Sequence, residues 1–311
     1  MNDIAIFSCG NSNYVKQMCA ALTIACEKNK NFHPFIISDV DDEENLKLIR
    51  DMNITLLQPD LVGVFSVHNA NWPEHMFWYF IGPEALYDMG YDFSCFIDAD
   101  VLCNKELDLS WLDDSIEIAG RPEADIENEY NSGVLFFNNK KMREKGLFSL
   151  AHSVYRKFST EEYLKWHGGL VHDQQVMSGL QKGNRFNEFW GGDESFEITN
   201  LDITWNYAFQ NIKSQNEDMI GLDYDELKPK LNFVHFLLSR PWLPFEKWGG
   251  SHGLFKTSDF PDGWVVKTKA GEPKPETRIQ FVAAWRNEVR KIEEKYKVKL
   301  FEEFDLLGTL V

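Results

Sequence analysis

Positive charge is scarce in this chain: 32 Lys and Arg stand against 49 Asp and Glu, a formal net charge of −17. Nucleic-acid backbones are bound by clustered cations that release counterions, so this balance excludes such a surface. Cysteine is sparse as well. The five, Cys9, Cys19, Cys26, Cys95 and Cys103, are odd in number and lack Cys-x-x-Cys spacing. Neither a disulfide framework nor a zinc site is expected, and a reduced compartment is the simpler setting. Cys19 and Cys26, seven apart in a helical pattern, read as small core residues. No apolar run approaches the ~20 residues of a membrane span. The strand-like Ile4-Ala5-Ile6-Phe7 near the start has neither the basic region nor the apolar length of a signal peptide. A soluble cytoplasmic protein is expected. Repeats and low-complexity tracts are also missing. What is present is a chain of 311 residues, 43% hydrophobic and 14% aromatic, enough for one large α/β domain with a small appendage.

Strands and helices alternate from the start. Asp3 to Phe7 predicts a strand, Gly10-Asn11-Ser12-Asn13 a turn, and Tyr14 to Lys28 a helix through Val15, Met18, Leu22 and Ile24. Phe35 to Ser38, Glu43 to Met52 and Ile54 to Leu57 continue as strand, helix and strand, the rhythm of a parallel sheet. A short helix over Glu84 to Met89 precedes a strand over Phe93 to Ile97, and Val134 to Phe137 reads as a buried strand after Tyr130-Asn131-Ser132-Gly133. Met142 to Tyr163 reads as one helix, Trp166-His167-Gly168-Gly169 as a break, and Asp173 to Leu180 as another helix. The aromatic group Trp72, Phe77, Trp78, Tyr79 and Phe80 is expected in the core. A domain over residues 1–250 is followed by a linker and helical appendage over 251–311. The helix of about Thr277 to Tyr296 carries Phe281, Ala284, Trp285, Val289 and Ile292 on one face and Arg286, Arg290, Lys291 and Lys295 elsewhere. Packing against its own domain is the expected role of that face, with peripheral membrane contact as the alternative.

Three Asp-x-Asp pairs occur, Asp39/Asp41, Asp98/Asp100 and Asp223/Asp225, where about one is expected by chance. Asp39-Val40-Asp41 leads into Asp42-Glu43-Glu44 and reads as a helix cap. Asp223-Tyr224-Asp225 reads as a solvated turn. Asp98 and Asp100 lie between two apolar strands, and two carboxylates at a strand's end can converge on one hard divalent cation that draws in a diphosphate. A bound cation would also reverse the repulsion between this acidic chain and an anionic donor. Open parallel sheets bind ligands beyond the strands' carboxyl ends, where both this pair and the Gly10 to Asn13 loop fall. His33, His68, His75, His152 and His252 show no metal-ligand spacing and are given no role.

The ordered set Phe-Ile-Asp-Ala-Asp (Phe96 to Asp100), Tyr-Asn-Ser-Gly-Val-Leu-Phe-Phe-Asn (Tyr130 to Asn138), His-Asp-Gln-Gln (His172 to Gln175), Thr-Trp-Asn (Thr204 to Asn206) and Val-His-Phe…Arg-Pro-Trp (Val234 to Trp242) resembles glycosyltransferase family 8. The resemblance spans roughly residues 1 to 250. It implies a GT-A fold, an α/β architecture with one Rossmann-like, mostly parallel sheet between helices. It also implies a UDP-sugar donor, a carbohydrate or glycolipid acceptor, Mn²⁺ or Mg²⁺, and transfer with retention of configuration. By the same resemblance Asp98, Asp100 and His235 would ligate the metal. Ser8, Asn13, Tyr14, Ala99 and Ser132 would border the nucleotide and donor. Asn131 and Asp173 would hold sugar hydroxyls, Gln174 would lie near the anomeric centre, and Arg240 would steady the diphosphate.

Three departures stand out. Asn11-Ser12 replaces the family's usual Asp-Asp before Asn-Tyr. Phe77-Trp78-Tyr79-Phe80 occupies a stretch where an Arg is usual. Leu237-Leu238 replaces a Gly-containing segment. A nucleotide-sugar-binding homologue without turnover is therefore an alternative. A phosphatase of the haloacid-dehalogenase type is another, although its Asp-x-Asp normally follows the first strand and precedes Gly-Thr rather than Val101-Leu102.

Overall fold

The structure, a computed structural model, describes residues 3–61, 63–65, 74–123, 129–160, 171–184, 195–208, 219, 222–237, 241–242, 254–257, 260–266 and 275–301. Trp72, the Trp166 to Gly169 break and Arg240 lie outside them. The first half alternates as the sequence pattern requires: β1 (Ile4–Cys9), α1 (Val15–Lys28), β2 (Phe32–Ile37), α2 (Glu43–Asp51), β3 (Thr55–Leu57), α3 (Gly82–Asp88), β4 (Phe93–Ile97) and β5 (Val101–Cys103). There follow β6 (Ile118–Pro122), β7 (Tyr130–Asn138), α4 (Asn139–Lys145), α5 (Leu147–Phe158), α6 (Asp173–Leu180), β8 (Ile198–Asn200), β9 (Tyr207–Ala208), α7 (Tyr224–Leu227) and β10 (Phe233–His235). A hairpin, β11 (Leu254–Thr257) with β12 (Phe260–Val266), and α8 (Pro275–Tyr296) complete the described chain.

Seven strands form the main sheet in the order β3-β2-β1-β4-β7-β6-β8. Its pairings are parallel except those of β7, which runs antiparallel to both β4 and β6. Side chains alternate across the strands, and the core divides accordingly. Ile4, Ile6, Cys95, Ile97, Val134 and Phe136 join one apolar cluster with α1 and α8, while Phe7, Phe96, Leu135 and Phe137 join another with α5 and α6. The sheet is thus covered on both faces, which is why β4 and β7 are buried at every position rather than at alternate ones.

Phe77, Trp78, Tyr79 and Phe80 are core residues, on a 3-10 helix over Glu74–Phe80. All five cysteines are free; Cys19 is buried and Cys26 half-buried. No described helix is long and apolar enough to cross a membrane.

The structure revises several local expectations. The helix expected from Met142 to Tyr163 is broken at Gly146, whose φ of 69° is left-handed and separates α4 from α5. Neither Asp39 nor Asp41 caps α2. Asp42 does, accepting from the Asn45 N–H at 2.9 Å, and Asp39 instead faces His75 at 3.0 Å. Asp223 is a cap rather than part of a solvated turn: it accepts from Glu226 N–H at 3.1 Å, and Glu226 reaches back at 2.9 Å, so α7 begins with a reciprocal capping box.

On α8, Phe281, Trp285, Val289 and Ile292 are buried as the pattern requires, and the helix packs along α1. Arg286 departs from expectation. It is buried, and its Nε donates to the Pro241 carbonyl at 3.0 Å, so a residue assigned to the polar side ties the helix to the Pro241-Trp242 turn. Lys28 and Lys295 bridge to Glu288 and Glu27 across the α1 contact.

Trp285 is fully enclosed between Trp242 and Phe301. Trp285→Ala is expected to cost about 3–5 kcal/mol, lowering the midpoint of one cooperative urea transition. An unchanged midpoint, or a separate early transition, would show that α8 does not share the domain's core.

Candidate functional site

The central Asp-x-Asp pair gains its position from two sheets. The Asp98 N–H donates to Gly133 O at 2.9 Å, extending the β4–β7 ladder one step past Ile97. The Val101 N–H then returns to Asp98 O at 3.1 Å, closing a tight turn over Ala99 and Asp100. β5 leaves this turn into a small second sheet ordered β5-β10-β9. Its antiparallel register sets His235 opposite Val101, and Phe236 N–H donates to Asp100 O at 3.0 Å. The apolar neighbours Val234 and Phe236 are fully buried, so the strand has one way to lie and His235 one way to face.

The result is a cluster of two carboxylates and an imidazole. His235 Nε2 lies 3.2 Å from Asp100 Oδ1 and 3.6 Å from Asp98 Oδ2. One donor atom from each residue falls within 4.8 Å of the others. Exposure is graded across the three side chains, 39% for Asp98, 17% for Asp100 and 4% for His235, so the carboxylates border solvent and the ring forms the wall behind them. Removal from water pushes Asp98 up to about 7; His235 opposes that, and the charges of Asp100 and Asp173 add to it. Burial alone would lower His235, but Asp100 and then Asp98 outweigh it and raise the imidazole.

Asp173 begins α6 next to this cluster. The helix is capped by His172 and Gln175: Gln175 Oε1 accepts the His172 N–H at 3.1 Å. Burial raises the Asp173 carboxyl to about 6, while a hydrogen bond from Ser132 acts against the rise. Tyr79 Oη lies 3.5 Å from Asp173 O. Burial also raises Cys9 and Tyr79, with the charges of Asp98 and Asp173 adding to each.

The remaining expected residues occupy distinct environments. Asn13 is exposed and Tyr14 half-buried on a 3-10 helix over Ser12–Tyr14, just past the carboxyl end of β1. Gln174 is partly exposed on the first turn of α6, and Ala99 is partly covered within the Asp-x-Asp turn. Ser8 is wholly buried in β1, and its hydroxyl has no hydrogen-bond partner among the described residues, so it offers no exposed atom to a ligand. Ser132, 6% exposed, is turned to Asp173. Asn131, expected to hold a sugar hydroxyl, is 2% exposed and faces His235 Nδ1 at 3.2 Å.

Sequence reasoning did not single out Asn206, Glu123 or Arg121, all buried around the ring. Asn206 carried a signal in the Thr204-Trp205-Asn206 motif; Glu123 and Arg121 carried none. The absence of a side chain at Gly133 admits the ring of His235. A Cβ there would lie 2.2 Å from His235 Cε1 and 2.3 Å from Nδ1. Gly133→Ala is therefore expected to cost about 1–3 kcal/mol and to displace the ring, abolishing divalent-cation binding measured by isothermal titration. Unimpaired cation binding would place the ring outside the cation site.

No family model matches the sequence, and no curated protein matches it. Solved structures do. The galactosyltransferase LgtC in complex with donor and acceptor sugar analogs superposes with a TM-score of 0.56 at 16% identity, covering 91% of this chain and 99% of that one. An active-site mutant of LgtC gives 0.55 at 17% identity, over 79% and 91%. The glycosyltransferase GlyE of Streptococcus pneumoniae TIGR4 gives 0.52 at 16% identity, over 97% of this chain and 66% of GlyE. At such identities the likeness is one of fold, and the mixed, mostly parallel seven-stranded sheet with its flanking helices is the GT-A fold of those glycosyltransferases.

Proposed function

We propose that this chain is a metal-dependent, retaining glycosyltransferase that moves a sugar from a UDP-sugar to a hydroxyl of a glycan, glycolipid or other acceptor. The observation that carries the reading is the meeting of Asp98, Asp100 and His235 within 4.8 Å beyond the carboxyl end of β4, where open α/β sheets take their ligands. The donor set fits a divalent ion: two carboxylate oxygens suit Mg²⁺ and Mn²⁺, and the added imidazole favours Mn²⁺. Such an ion, when bound, supplies a Lewis acid for the departing diphosphate.

The chain's own residues do the rest. Asp98, Asp100 and His235 would hold the cation in place, and the charge it would supply near the departing diphosphate would be preorganised. Asn13 and Tyr14 border the nucleotide, with the Tyr14 ring available to stack on the base. Asp173, held by Ser132, faces the donor sugar, and Gln174 lies toward the anomeric centre. No carboxylate of this chain is assigned as a covalent nucleophile, so attack by the acceptor hydroxyl on the face the diphosphate leaves is the favoured route to retention. Asp173 and Gln174 then shape the pocket and form no covalent bond to the sugar.

UDP with Mn²⁺ is expected to raise the thermal midpoint of the wild-type chain more than either alone, and Asp100→Asn to lose that joint increment. An equal increment in Asp100→Asn would remove the pair from the site. Mn²⁺-dependent UDP release from a panel of UDP-sugars then identifies the donor. A binding-only homologue would show the midpoint shift without release, and a phosphatase would liberate inorganic phosphate.

A further inference from the structure

His235 can ligate a cation only through a ring nitrogen that carries no proton, and its surroundings decide which nitrogen that is. We propose that Asn206 and Asn131 are positioning residues that hold a proton on Nδ1 and so reserve the Nε2 lone pair for the cation. This rests on the metal site proposed above and gives both asparagines a role in it that does not involve touching the sugar.

A chain of hydrogen bonds runs behind the ring, its direction set by groups of one polarity. The Gly133 N–H can only donate, and it lies 3.1 Å from Asn131 Oδ1. The Glu123 carboxylate, paired with buried Arg121, accepts from Asn131 Nδ2 at 3.0 Å. The Asn131 amide therefore has a single orientation. Asn206 Nδ2 lies 2.7 Å from Asn131 Oδ1 and 3.5 Å from the Asn131 carbonyl, both acceptors, so the Asn206 nitrogen must point there. That turns Asn206 Oδ1 toward His235 Nδ1 at 3.1 Å, beside Asn131 Oδ1 at 3.2 Å. A ring nitrogen between two acceptors is satisfied only as N–H.

On the other edge, Nε2 faces Asp100 and Asp98. A neutral ring with its proton on Nδ1 aims a lone pair at two carboxylates, a repulsion relieved by a positive charge between them: a second proton on Nε2, or the cation that displaces it. The network thus converts a generic histidine into a ligand that favours occupancy. Asn131, Asn206 and His235 are each at most 3% exposed, so water does not compete for these bonds. Gly133 leaves the ring no slack, because its missing Cβ is the space the imidazole fills.

Loss of an outer partner of a ligating histidine typically weakens metal binding by about 10–100-fold. The test uses the full chain without donor. Free Mn²⁺ is counted by electron paramagnetic resonance during titration of the wild type and of Asn206→Leu, with circular dichroism reporting folding. A folded Asn206→Leu is expected to bind Mn²⁺ at least about 10-fold more weakly. The second measurement needs no variant: in wild-type protein labelled with ¹⁵N-histidine and loaded with diamagnetic Cd²⁺, His235 should carry its proton on Nδ1 and the metal on Nε2. Wild-type affinity in folded Asn206→Leu, or a Cd²⁺-loaded ring with the metal on Nδ1, overturns the inference while leaving the metal site standing. A wild-type chain that takes up no Mn²⁺ overturns the metal site and the inference together.

Discussion

Asp98 and Asp100 are like charges two positions apart in one tight turn, and the imidazole of His235, 3.2 Å from Asp100 and 3.6 Å from Asp98, closes the third side of the pocket they form. Like charges set this close, and only partly open to solvent, favour a positive charge among them, and partial burial displaces the Asp98 carboxyl upward. The surrounding architecture serves to bring a residue from late in the chain to this point. The β4–β7 ladder delivers the Asp-x-Asp turn, and the short β5-β10-β9 sheet delivers the ring. Neither would suffice alone, because two- and three-residue strands hold register only when buried among larger elements.

The acidity of the chain fits this arrangement. A net charge of −17 repels an anionic nucleotide sugar at long range. A cation held by two carboxylates changes the sign of the field where the diphosphate would rest, and it does so without a basic surface that would attract nucleic acid. Binding of metal and donor would then be linked, each improving the site for the other. α8 contributes indirectly: Arg286 and Trp285 hold Pro241 and Trp242, the residues following β10.

Much of this could be read from the sequence because it depends on local pattern. Alternating apolar segments marked β1, α1, β4 and β7, and the flanking strands singled out Asp98/Asp100 from three similar pairs. His235 was legible only through the family resemblance carried by Val-His-Phe…Arg-Pro-Trp, because an apolar run alone reads as core. What escaped depends on single backbone angles or on tertiary polarity. Gly146 splits a continuous helical pattern because one left-handed residue suffices. Asp42 rather than Asp39 or Asp41 caps α2 because only its side chain reaches the Asn45 N–H. Asn131 looked like a ligand-facing polar residue, and its burial against His235 follows from pairing between β7 and segments some 75 and 104 positions later. Arg286 looked solvated, and only the fold supplies the carbonyl of Pro241 that lets it be buried.

The central claim is that these three side chains surround one divalent cation. Crystals grown with UDP and MnCl₂, measured at the manganese absorption edge, test it directly. The account predicts a single anomalous peak within bonding distance of Asp98, Asp100 and His235 Nε2, with the diphosphate on its open side. A peak elsewhere, or a bound nucleotide with no peak among those side chains, would contradict it.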